Sequence, residues 1–197
     1  MKRSTKQIVE FLKEIDKLKE VKRQVHTTSG RQENSAEHSW HLALAVWLLK
    51  DELGFRLNTA KAVELALVHD LVEIYAGDTY FFDTEGHRDK NAREQKALVR
   101  LARQLPKPLG RELRQLWNEY ETKYSPEACT VKALDKILPV IQNIISGARE
   151  WKKGKLTYER IVAAKNNIWP RFPQKRDVLW DILEDLLAEA KAKKLLK

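Results

Sequence analysis

The chain has 197 residues, with 37 Lys and Arg against 28 Asp and Glu, a formal net charge of +9 with histidine neutral. That length suits one domain with a closed hydrophobic core, and 43% hydrophobic residues argue against intrinsic disorder. No stretch approaches the roughly 18 uninterrupted apolar residues of a membrane span, and the N-terminal MKRSTKQIVEFLKEIDKL lacks the apolar run of a signal peptide, so a soluble cytoplasmic protein is expected.

Apolar spacing such as Ile8, Phe11, Leu12, Ile15 and Leu18 follows the 3.6-residue helical period. It predicts a first helix over Ser4–Val21, opened by a capping box of Ser4 and Gln7. A second is predicted over Ser35–Leu53, and a third from the N-cap Asn58 to Gly77. Further helices are expected at Gly86–Leu105, Pro108–Lys123 and Pro126–Glu150, the last with Ser125 as cap and Pro126 in its first turn. Thr157–Ile168 and Gln174–Leu196 complete the set. No run of alternating β-rich segments occurs, so the fold is read as all-α, a bundle of about seven to eight helices. The six tryptophans are expected mostly to anchor its core.

The single cysteine, Cys129, excludes an internal disulfide and a cysteine-held metal. Basic residues are interleaved with acids; even the densest stretch, His87–Arg114, carries Asp89, Glu94 and Glu112. That pattern reads as a solvated helix surface, so neither nucleic acid nor a membrane is expected as a partner.

The informative segment is Leu65–Asp78, LALVHDLVEIYAGD. Read as one helix, it puts Glu73 on a face shared with His69 and Asp70, among almost wholly apolar neighbours. Ionisable groups there are expensive unless paired or bound to metal, and imidazole with carboxylate suits a divalent transition ion. His38, in ENSAEHSWH, and Asp135, in VKALDKIL, are the further donors. Singly, His38 suits a cap or a packing residue, and Asp135 suits a pair with Lys132 or Lys136. Together with His69-Asp70 they are better explained by one site.

These residues resemble the H…HD…D pattern of the HD-domain metal-dependent phosphohydrolases. RQENSAEHS over 31–39, then His69-Asp70-x-x-Glu73-x-x-x-Gly77-Asp78, then Lys132-x-x-Asp135 are similar to its 5′-deoxynucleotidase-type branch. The resemblance implies a single HD domain over 1–197, with a metal-site core at about 23–150 and C-terminal helices 157–197 packed on it. It implies that His38, His69, Asp70 and Asp135 hold one divalent ion (Mn, Co, Fe, Zn or Mg), and that Glu73 and Asp78 are the catalytic acids. Arg23 matches a phosphate-binding arginine, but Gln24 stands where the branch tends to carry an aromatic, which departs from strict deoxyribose selectivity.

The implied activity is hydrolysis of nucleoside 5′-monophosphates, deoxy forms included, by a homodimer whose partner is otherwise a small-molecule nucleotide. Alternatives are another phosphorylated metabolite, or a sensing module without turnover, against which intact Glu73 and Asp78 argue. His41, His26 and His87 are read as packing or loop residues, and Lys132 as solvated or supporting. The loop aromatics Tyr80, Phe81 and Phe82 are read as packing rather than as a wall for a nucleobase. Pro139, four residues after Asp135, either divides two helices or sits inside one, where it leaves the Asp135 carbonyl without its helical donor.

Overall fold

Amphipathic periodicity along most of the chain is matched by helices in the computed structural model, which describes residues 2–170 and 178–196. α1 covers Arg3–Ile15 and tightens into a 3₁₀ turn over Asp16–Glu20 that buries Leu18. The expected Ser4–Gln7 capping box is not formed: Arg3 is already helical, Lys2 is the N-cap, and no side chain caps it.

The all-α class holds, with one short exception. β1 (Lys22–His26) and β2 (Gln32–Asn34) pair antiparallel around a turn at Gly30, whose φ of +84° suits a residue without Cβ. Both strands are mostly polar, so they carry no alternating hydrophobic signal. Asn34 then caps α2 (Ser35–Leu49) in a capping box with Glu37.

α3 covers Thr59–Val68, capped as expected by Asn58, whose side chain accepts from Lys61 N. The helix expected to run to Gly77 breaks after Val68 and resumes as α4 (Glu73–Ala76). Across the break, Leu71 N donates to Val68 O at 3.2 Å and Glu73 N to Asp70 O at 2.9 Å, tighter i to i−3 bonds in place of helical ones. α5 (Lys90–Gln104) begins later than expected because Gly86 is held in a turn by the Asp83 carboxylate. α6 covers Lys107–Thr122.

α7 (Pro126–Ser146) is capped by Ser125 and stops at Gly147, φ +83°, short of the expected Glu150; α8 (Arg149–Lys153) follows. Pro139 lies inside α7, so it does not divide two helices. α9 covers Tyr158–Ile168 and α10 covers Val178–Ala192; the expected start at Gln174 lies outside the described residues.

α7 is the central element, touching α2, α3, α6 and α10. The larger core gathers Leu42, Val46, Leu65, Leu134, Ile137, Ile161 and Leu183; a second gathers Phe11, Leu18, Leu98, Leu101, Leu113 and Trp117. Trp117 and Trp151 are buried as expected, but Trp40 and Trp47 are 64% and 55% exposed, so those two do not anchor the core. No helix among the described residues is long and apolar enough to cross a membrane.

Candidate metal and phosphate site

Three segments far apart in sequence bring ionisable side chains to the inner face of α7. His38 stands in the first turn of α2, His69 caps the C-terminus of α3, and Asp135 lies mid-way along α7. All three are buried, and one donor atom from each lies within 4.8 Å of the others. His38 Nε2 is 3.0 Å from Asp135 Oδ1.

His69 Nδ1 lies 2.9 Å from the Ala66 carbonyl and donates to it, which leaves Nε2 with its lone pair. That Nε2 is buried with no hydrogen-bond partner among the described residues, although Asp70 Oδ1 is 3.0 Å away. Two acceptors facing each other at that distance, beside His38 and Asp135, fit a divalent cation. Asp70 belongs to the break between α3 and α4, and its Oδ2 takes Arg23 Nη1 at 3.0 Å.

The break also revises the expected geometry of Glu73. Instead of sharing one helical face with His69, Glu73 opens α4, and its carboxylate accepts from Ser35 Oγ at 2.6 Å. Asp78 follows Gly77 and stands 3.9 Å from Arg23 Nη1. Arg23, on β1, is therefore ringed by acids, with Glu33 Oε2 3.4 Å from its Nε.

Burial and crowding set the charges. Burial opposes charge on Arg23, yet Asp70, Asp78 and Glu73 hold its guanidinium above its ordinary range. Burial and then Asp70 raise Glu73 well above the usual carboxylate range. Burial also raises Asp78, against Arg23, and pushes Glu33 up to about 7. His38 is pushed down to about 4 by burial and Arg23. Burial works against ionised Asp135, but Lys136 and His38 hold it well below its ordinary value. A neutral imidazole beside an ionised carboxylate is the state a metal requires of its ligands.

Arg23, His69, Asp70, Glu73, Asp78 and Asp135 line a cavity of about 330 Å³, the size of a small-molecule site, which Gln24, Tyr80, Phe81 and Lys165 also line; His38 sits behind that wall, against Asp135. The loop aromatics divide: Tyr80 and Phe81 face the cavity, whereas Phe82 packs against the larger core. His41 is not brought to the cluster. His87 is exposed at the cavity, and the His26 carbonyl accepts from Gln142. Lys132 pairs with Glu121 at 2.8 Å and lies over the Tyr120 ring, so it is a supporting residue and not a solvated one.

A family model described as HD domain matches residues 15–176. The chain belongs to the HD-domain family. A relative from Homo sapiens named 5′-deoxynucleotidase HDDC2 is 36% identical over 151 residues, covering 76% of this chain and 72% of that one. A relative from Saccharomyces cerevisiae, 5′-deoxynucleotidase YBR242W, is 32% identical over 154 residues, covering 75% of this chain and 63% of that one. A crystal structure described as a predicted metal-dependent phosphohydrolase from Magnetospirillum magnetotacticum MS-1 superposes with a TM-score of 0.87 at 34% identity, covering 98% of this chain and 95% of that one.

Several residues that brace this HD domain site were not found by sequence reasoning. Tyr120 donates to Asp135, Ser35 to Glu73, and Glu33 stands behind Arg23. Arg93, on α5, spans the loop that carries Asp78: its guanidinium bonds the Ala76 carbonyl, the Gly86 carbonyl at 2.9 Å and Asp89 at 2.9 Å. The one local signal was Asn34 with Glu37, a capping box that marks where α2 begins and so fixes His38 in its first turn.

Proposed function

We propose that the protein is a metal-dependent phosphomonoesterase that hydrolyses nucleoside 5′-monophosphates, deoxynucleotides included, to nucleoside and inorganic phosphate. The observation that carries this reading is His69 Nε2, buried without a hydrogen-bond partner among the described residues, close to His38 and beside Asp70 and Asp135 in the wall of a cavity that Arg23 also lines. The names of the human and yeast relatives support the substrate class.

In this reading His38, His69, Asp70 and Asp135 hold one divalent ion, and the donor set accepts Mn, Co, Fe, Zn or Mg. When bound, the ion supplies polarisation of a phosphoryl oxygen and acidification of water. Arg23 clamps the phosphate and neutralises its charge. Water oxygen bonds to phosphorus as the P–O5′ bond breaks. In this reading Glu73 and Asp78 orient that water and pass a proton to the leaving O5′. Gln24, not an aromatic, follows Arg23 at the cavity wall, so ribo- and deoxynucleotides are both expected as substrates. The deciding experiment is phosphate release by the metal-stripped protein across both nucleotide series, with each metal added back; no release from any nucleotide would overturn the reading.

The protein is further read as a cytoplasmic homodimer. Trp40, Leu44, Trp47 and Leu48 recur at helical spacing and leave an apolar stripe exposed along α2, with Leu67 of α3 also exposed. Monomers rarely expose so much contiguous apolar surface, and a second α2 laid across the first covers the same stripe on both copies. Light scattering of Trp47→Glu against wild type tests this; a wild-type monomer would refute it.

A further inference from the structure

Lys165 is a buried amine that this chemistry does not use. It projects from α9, is 6% exposed, and lines the cavity together with Phe81, whose ring centre lies 4.8 Å from its Nζ. Of the four other lysines of the wall, Lys123 is only half-buried and three are each matched with a carboxylate: Lys90 with Glu94 at 2.5 Å, Lys132 with Glu121 at 2.8 Å, and Lys136 with Asp135 at 2.7 Å. Lys165 has no carboxylate within ion-pair distance among the described residues. Its Nζ donates instead to a neutral acceptor, the Lys136 carbonyl, at 2.9 Å.

A buried ammonium is costly without a counter-charge, and a backbone carbonyl offsets only part of that cost. The Lys136 ammonium nearby adds repulsion. Solvation alone would favour an apolar side chain at this position, so the charge needs a reason. The carbonyl that Lys165 grips belongs to the residue after Asp135, which ties the ammonium to the turn of α7 that carries the acid. An anion entering the cavity would find Lys165 held by a carbonyl and a ring but by no carboxylate within ion-pair distance among the described residues. A neutral base carbonyl would leave the charge uncompensated, whereas a phosphate dianion would balance it.

Resting on the nucleotidase reading above, we infer that Lys165 is a substrate contact, whose ammonium turns from the Lys136 carbonyl to a phosphate oxygen when the nucleotide binds. With Arg23 it supplies a second positive charge to the same group. Arginine at this position keeps a cationic donor; methionine keeps the aliphatic packing and removes the charge.

The test compares metal-loaded wild type, Lys165→Met and Lys165→Arg, with inorganic phosphate as the titrant and nucleoside monophosphates in steady-state assays. Loss of a charged hydrogen bond should weaken phosphate binding and raise KM in Lys165→Met by about tenfold to a hundredfold, with metal content unchanged. Lys165→Arg should recover most of that affinity. A mere tether between α9 and α7 would leave phosphate affinity untouched, so a folded Lys165→Met that binds phosphate like wild type overturns the inference. Should methionine prevent folding, Lys165→Gln is read against the same two outcomes. A wild type that neither binds phosphate nor releases it from any nucleotide removes the nucleotidase reading and this contact together. An active wild type with an unaffected methionine variant removes the contact alone.

Discussion

Tyr120 donates its hydroxyl to Asp135 Oδ2 at 2.9 Å, and its ring lies 4.9 Å from that of His69. One buried side chain thus fixes the carboxylate and flanks the imidazole. Groups that orient metal ligands in this way typically change metal affinity by about 10–100-fold when removed. Tyr120→Phe should therefore weaken metal binding on that scale with little loss of helicity. Competition with a chelator measures it, and an unchanged metal affinity would count against the site.

His69→Ala and Asp135→Ala should each strip the ion while far-UV circular dichroism stays close to wild type. Both side chains sit at the meeting of α2, α3 and α7 without forming the apolar core. Metal analysis after gel filtration is the check. Full occupancy in both variants would sink the ligand assignment.

Glu73→Gln and Asp78→Asn separate chemistry from binding. The amide oxygen left by Glu73→Gln can still accept from Ser35 Oγ, so the fold should tolerate the change. Each variant should hold the metal yet lose about a hundredfold or more of kcat, as expected when a proton-transfer group is removed. Wild-type turnover in both would leave the acids without a role.

Arg93→Ala should loosen the loop that carries Asp78, Tyr80 and Phe81. Its guanidinium joins acceptors on both sides of that loop, a geometry a lysine cannot copy. The expectation is a fall in kcat of about tenfold or more, since a small misplacement of a reacting group suffices. Lys should not rescue it, and the loop should become more sensitive to proteolysis. Full rescue by Lys would mean that only the charge matters.

Lys165 also predicts a pH dependence of stability. Burial, reinforced by Lys136, pulls its ammonium from 10.5 down to about 7. Between those values the unfolded chain binds a proton that the native state does not, so this group's contribution to stability rises with pH. Below pH 7 the native protein carries the full cost of the buried charge. Lys165→Met should thus be more stable than wild type at pH 6, by up to about 5 kcal/mol, and the gain should fade toward pH 10. Denaturant midpoints at the two pH values measure it; an equal gain at both would refute the pH dependence.

The helices and the ionisable residues that the fold gathers at α7 were legible because their signals are local. His69, Asp70 and Asp135 are ionisable residues on apolar runs, a pattern visible one segment at a time. Tyr120 and Lys165 were not legible, because each looks like an ordinary position on an amphipathic helix until the fold carries it to α7. The break at Val68 carries neither glycine nor proline, so nothing in the sequence marks it, and the relation of Glu73 to His69 was misjudged as a result. The ribbon was missed because Arg23, Gln24, Gln32, Glu33 and Asn34 present polar side chains where a strand signal would alternate.

His38 and Asp135 touch across 97 residues of sequence, so their pairing exists only in the finished fold. An ion that needs both must bind the native chain and have little purchase on the unfolded one. By mass action, each tenfold rise in free ion above its dissociation constant then deepens the native well by about 1.4 kcal/mol. On the proposed ligand set, the melting temperature should follow metal supply, and a chelator should act as a mild denaturant. In a metal-poor cell the protein would lose lifetime as well as turnover.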